Sequence, residues 1–156
     1  MDPIVVSQGR GRPGLMGGSL AAATIAQPPG SPEQALATFV EALCSRDLAT
    51  AVSGFAREAC FLTPDATVIH GPREIREILA QLIEMRPKIK VELRTVLPMG
   101  DVALGSERWT MRLRAPGRAS FVRTSNSVIL LRRLERTWKL LIVAPWGLGG
   151  AAPLSA

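Results

Sequence analysis

Apolar residues recur at helical spacing only as far as Leu82, and beyond Pro87 they alternate. That single, one-way switch of period constrains the fold more than any other feature of the chain. Helices that come first, followed by consecutive hairpins, cannot build alternating β-α-β units. They have to lie against one face of a mostly antiparallel sheet, which is an α+β arrangement.

Local signals set the element bounds. Ser31-Pro32-Glu33-Gln34 opens the first helix: Ser31 caps it, Pro32 takes the first helical position, and the Gln34 side chain can complete a capping box. Leu36, Phe39, Val40 and Leu43 then follow helical spacing to Cys44. Asp47 caps a second helix, predicted from Leu48 to about Ala56. Ala59 to Leu62 reads as a short strand, Thr63-Pro64-Asp65 as a turn, and Ala66 to His70 as a second short strand. Gly71-Pro72 opens a third helix striped by Ile75, Ile78, Leu79 and Leu82, and Pro87 stops it. Four strands follow: Ile89 to Leu97, Val102 to Leu113, Phe121 to Leu131 and Trp138 to Pro145.

The chain of 156 residues, 47% of them apolar, is long enough for one domain with a real core. Its bounds are set at 31–147. Residues 1–30 form a leader rich in Gly, Ala and Pro, and 148–156 a tail; both are expected to be flexible. The leader reads as a disordered extension, a mis-assigned start, or an export signal in which Arg10 and Arg12 precede the mildly apolar Leu15–Ala26. Its arginines are not adjacent and its apolar stretch holds Gly17, Gly18 and Ser19, so a cytoplasmic protein is expected, with export as the alternative. No apolar run approaches the roughly 20 residues a membrane helix needs.

The net charge of +6 invites a nucleic-acid reading. The basic residues are scattered, however, with no basic helix, and the chain has no Tyr to build a stacking platform. No nucleic-acid partner is expected. Cys44 and Cys60 have neither a CxxC partner nor a clustered histidine, so no metal site is expected and both read as small apolar residues. No cofactor is implied either, because the GRGRPG run in the leader lacks a preceding strand and a following helix.

Two stretches carry a family resemblance. FAREACFLTPDATVIHGPREIREIL resembles the join between the second and third helices of SnoaL-like and ketosteroid-isomerase-like proteins of the nuclear-transport-factor-2-like superfamily. GDVALGSERWTMRL and SVILLRRLERTWKLLIVAPWG resemble the last three strands of bacterial SnoaL-like proteins. The resemblance spans about Ser31 to Gly147. It implies a cone: a curved sheet wrapped around three helices, an apolar pocket inside, and an outer sheet face that often forms a homodimer. It does not imply an activity, since members range from isomerases and cyclases to proteins without catalysis.

The steroid-isomerase parts can be sought by register. The base would fall at Leu62 or Thr63, the oxyanion tyrosine near Phe39 or Val40, and the protonated carboxylate near Ser125 to Ser127. None of these side chains can do that work. An acid that related sequences carry before the final Pro-Trp-Gly is replaced by Val143-Ala144. An epoxide-hydrolase-like site would need two carboxylates and an arginine. Asp101 reads as turn chemistry and Glu107 has Arg108 on the opposite face, so no such triad is expected.

Asp65 and His70 remain as catalytic candidates, with His70 as base and Asp65 orienting it across a tight hairpin. The plainer reading makes Asp65 a turn residue and His70 a cap of the third helix. Trp109, Met111 and Leu113 share one strand face, and Arg123, Ser125, Ser127 and Ile129 share another. Leu62, Trp109, Met111, Arg123, Ser125, Ser127 and Trp146 would suit a small apolar ligand held by a few hydroxyls, with Arg123 offering a cation if its face turns inward. Core packing is the alternative for the large apolar members of that set. The expectation is a pocket protein without the isomerase carboxylates; the alternatives are a cyclase-, isomerase- or dehydratase-type enzyme using His70 and Asp65, and a non-catalytic dimerisation domain.

Overall fold

The computed structural model describes residues 30–148. The leader and tail expectations therefore lie outside the described residues, apart from Gly30 and Leu148.

The first helix, α1 (Pro32–Ser45), starts at Ser31, whose hydroxyl accepts the Gln34 backbone N–H at 3.0 Å. Only half of the capping box forms, because the Gln34 side-chain oxygen is buried without a partner. The second helix, α2 (Leu48–Ser53), is capped by Asp47 and stops at Gly54. It is shorter than the sequence suggests. Phe55 and Ala56, which spacing assigns to that helix, belong instead to strand β1 (Phe55–Leu62), where a bulge between Phe55 and Cys60 lets consecutive residues turn inward. Strand β2 (Val68–His70) pairs with the end of β1, and α3 (Gly71–Glu84) follows directly.

The remaining strands, β3 (Lys88–Met99), β4 (Val102–Leu113), β5 (Phe121–Leu134) and β6 (Thr137–Ala144), form an antiparallel meander. β6 then pairs with β1 in parallel, giving one six-stranded sheet in the order β2-β1-β6-β5-β4-β3. This is the α+β class expected from the change of period. No helix among the described residues is long and apolar enough to cross a membrane.

One face of the sheet holds the core against the helices. Leu36, Leu43, Ile75 and Leu79 from α1 and α3 meet Trp109, Met111, Ile129, Leu131, Leu140 and Val143 from the strands, all essentially closed to water. α1 comes so close to β4 that a Cβ on Gly105 would sit 3.1 Å from the Leu36 Cδ1.

Strand β3 changes parity along its length. Val91 pairs with Trp109, but Leu93 pairs with Arg108, so a bulge lies between them. Ile89 and Val91 are half-buried before it, and Arg94 and Val96 after it, while Glu92 and Leu93 are both exposed. The extra residue sends Arg94 to the helix side of the sheet.

Candidate functional site

The cross-strand register decides which side chains share the inner face. Met111 pairs with Arg123, Trp109 with Ser125, and Glu107 with Ser127, and residues paired this way point the same way. Arg123, Ser125 and Ser127 therefore turn inward with the core residues of β4.

At the centre of that face lies a carboxylate. Glu107 has no exposed side-chain surface. It accepts the Arg94 Nε–H at 2.5 Å and the Trp109 indole N–H at 2.6 Å, one on each oxygen. The Ser127 hydroxyl donates to the Glu107 carbonyl at 3.1 Å. A buried carboxylate needs such partners, because an unpaired charge there would cost several kcal/mol. In the sequence this acid is masked by Arg108, the adjacent cation, which faces the other way. A signal is nonetheless present, since Glu107 is two residues from Trp109 and so shares its face. Asp101 is no second acid for this site: it lies in the β3–β4 turn, paired with Arg133 at 2.8 Å, and is exposed. The inner face thus offers one carboxylate, and it is fully engaged.

Trp109, Met111 and Ser127 are closed to solvent with it. The three described cavities lie elsewhere. One of about 840 Å³ opens between the α1 and α3 ends and the β4–β5 loop. One of about 240 Å³ sits between α1, α2 and the start of β6, with Gln34 and Trp138 in its wall. One of about 270 Å³ lies beside Lys88, Lys90 and Arg112.

Three of the candidate ligand residues meet at the rim of the inner face. Ser125 donates to the Pro145 carbonyl at 2.8 Å, fastening the chain beyond β6 to β5. A tight turn follows, closed by Gly147 N–H to the Ala144 carbonyl at 3.1 Å, with Gly147 at φ 82°. A side chain at Gly147 would press on the Asn126 carbonyl, its Cβ only 3.1 Å away. The turn lays Trp146 beneath Arg123, whose guanidinium carbon stands 4.4 Å from the ring centroid. Arg123 is half-buried and forms no ion pair among the described residues, and the Trp146 indole N–H is buried without an acceptor. Leu62 lies one residue beyond the Phe61–Val143 pair, at the neighbouring strand end.

Asp65 and His70 are not joined. The Asp65 carboxylate takes the hydroxyls of Thr63 and Thr67, the latter at 3.0 Å, in the hairpin turn. His70 is exposed on the edge strand, opposite Cys60, and makes no side-chain cap bond to α3. Phe39, one of the two positions where the resemblance would put the oxyanion tyrosine, packs edge-on against Phe55 with centroids 5.4 Å apart.

The hydrogen bonds from Thr63 and Thr67 hold the Asp65 carboxyl below its ordinary value, and those from Thr50 do the same for Asp47 at the α2 cap. A depressed carboxyl stabilises the fold above its unfolded value of about 3.9, and that contribution disappears as pH falls through the folded value. Asp65→Asn is therefore expected to flatten the acid limb of a stability–pH curve below about pH 4. The check is urea unfolding of both proteins across pH 2.5–6; parallel curves would contradict the role of Asp65.

The model of the family described as a SnoaL-like domain matches residues 36–132. A comparison with curated proteins gives no match. Among solved structures, a candidate dehydratase of the NTF2-like family from Streptomyces avermitilis superposes with a TM-score of 0.65 at 17% identity, covering 72% of this chain and 90% of that one. A candidate calcium/calmodulin-dependent protein kinase II association domain from Xanthomonas campestris gives 0.64 at 17% identity, over 76% and 84% of the two chains. A candidate ketosteroid isomerase from Shewanella frigidimarina gives 0.63 at 14% identity, over 71% and 90%. Identities this low carry the fold and nothing finer. With its three leading helices, its six-stranded sheet and a family match over most of the described residues, the chain belongs to the SnoaL-like domain family, on the NTF2-like fold.

Proposed function

We propose that this domain binds a small apolar molecule through an acidic group, at the rim where Arg123 lies over Trp146, and that it does so without acid–base catalysis. The observation that carries the reading is the pairing of two unsatisfied donors: a half-buried guanidinium without a carboxylate and a buried indole N–H without an acceptor. Two donors and no acceptor select a ligand that brings acceptor oxygens, as a carboxylate does. Phe121, exposed at the start of β5 and two residues from Arg123, supplies apolar surface on the same strand face. Catalysis is left without equipment, because Glu107 is engaged and Asp65 does not reach His70.

Hexanoate, a carboxylate on a short apolar chain, is a suitable probe, with hexanamide as its uncharged counterpart. Titration followed by the Trp146 indole resonance should saturate with hexanoate. Arg123→Met should weaken binding about tenfold or more, the worth of one charge-assisted hydrogen bond. Equal binding of acid and amide, or an unchanged affinity in the variant, would sink the proposal.

The partner half of the reading is a second copy of the chain, joined through the outer sheet face. Leu97, Leu104, Leu130 and Ile142 run in register across β3, β4, β5 and β6 on that side, with Leu93 and Met99 beside them. Leu93, Leu97 and Met99 are each more than half exposed, which is unusual for a continuous patch on a monomer. Light scattering at micromolar concentration should give twice the chain mass, and Leu97→Glu should halve it. A monomeric wild-type chain would contradict the pairing.

A further inference from the structure

Two helices of this domain end in the same unusual way. Beyond α1, Arg46 adopts φ 63° and ψ 31°; beyond α3, Arg86 adopts φ 47°. A helix commonly ends in this left-handed conformation, but the position favours glycine, because a Cβ is strained there. Both helices place an arginine where glycine would be more stable.

These two arginines face one space. Arg46, Arg86 and Arg114 line the cleft of about 840 Å³, together with Ser45, Ile83, Glu84 and the loop residues Ala115, Pro116 and Gly117. Arg114 is tied in by its backbone N–H, which donates to the Met85 carbonyl at 2.7 Å. The cleft is therefore built by three elements, each contributing one exposed arginine to its lining. Glu84 is the single acid in the wall, and no ion pair among the described residues joins it to any of the three. Among the described residues the hydrogen bonds of Arg46, Arg86 and Arg114 run through their backbones, although each planar fork is suited to paired oxygens.

A cation near a helix C-terminus is favourable by itself. That benefit is available from a basic residue inside the last turn, where the backbone is unstrained, and neither helix has one there. Backbone strain at two positions is combined with three exposed arginines that line one open space and form no ion pair among the described residues, an arrangement suited to a ligand that brings negative charge. We infer that this cleft is an anion-binding site for a small molecule carrying adjacent phosphate groups, held by Arg46, Arg86 and Arg114. Inorganic diphosphate presents that chemistry in its smallest form. The site is separate from the rim: it uses neither Arg123 nor Trp146, so each reading can fail without the other.

The test uses the full chain, inorganic pyrophosphate and the double variant Arg46→Gly/Arg86→Gly. Pyrophosphate should shift the amide resonances of Arg46, Arg86 and Arg114 saturably, and its affinity should fall as salt rises. The double variant should bind about tenfold or more weakly. It should also melt higher than the wild-type chain, because glycine relieves both left-handed positions. Arg114→Gln, which touches no strained backbone, should weaken binding without raising the melting point. Four outcomes would overturn the inference: no saturable shift, shifts spread equally over Arg108, Arg112 and Arg132, undiminished binding by the double variant, or a double variant that melts lower. Tighter binding of a short RNA across the whole basic surface would overturn it as well.

Discussion

The carboxylate of Glu107 has to be neutralised wherever the sheet buries it, and much of the inner face is arranged around that need. Trp109 supplies a donor from the same strand and Arg94 supplies the charge from the next. Arg94 can do so only because β3 carries an extra residue near Glu92, which turns the second half of the strand over. The same bulge pushes Leu93 outward and, two and four residues later, Thr95 and Leu97 with it. One buried charge thus influences both the packed interior and the apolar outer surface.

This arrangement withholds Glu107 itself from acid–base work. A working carboxylate must be within reach of a substrate and free to exchange a proton. Glu107 is closed to solvent, and both of its oxygens are occupied. Among the described residues, the buried side-chain polar atoms left without a hydrogen-bond partner, and the half-buried Arg123 without an ion pair, lie toward the ends of β5. Arg123 and the Trp146 indole are at one end of β5, and the Gln34 side-chain oxygen is near the other, beside the β5–β6 turn. This distribution is the ground for the proposed recognition at the rim, around a core filled by side chains.

Much of the fold was legible in the sequence because period, caps and turn residues agreed. Ser31-Pro32, Gly71-Pro72 and Pro87 bounded α1 and α3, and the alternation in β4 and β5 grouped the residues that share a face. Bulges were not legible. Phe55 and Ala56 read as the end of the second helix because a bulged strand can bury adjacent residues, and the bulge between Val91 and Leu93 leaves no mark in a linear string. Alternation grouped Arg123 with Ser125 and Ser127 but left open which way that face turns, and its stacking on Trp146 depended on a turn beyond β6 that only the fold brings back to β5. The convergence of Arg46, Arg86 and Arg114 was equally hidden, since they are widely separated along the chain.

The central claim is that the interior acid serves the structure through its pairing with Arg94. A double-mutant cycle of Arg94→Met and Glu107→Leu, measured by urea unfolding, addresses it most directly. Arg94→Met alone strands a buried carboxylate and should cost about 3–5 kcal/mol. Adding Glu107→Leu removes that stranded charge, so the double variant should be more stable than Arg94→Met, with a coupling of at least about 2 kcal/mol. Costs that simply add, to within about 0.5 kcal/mol, would contradict the account.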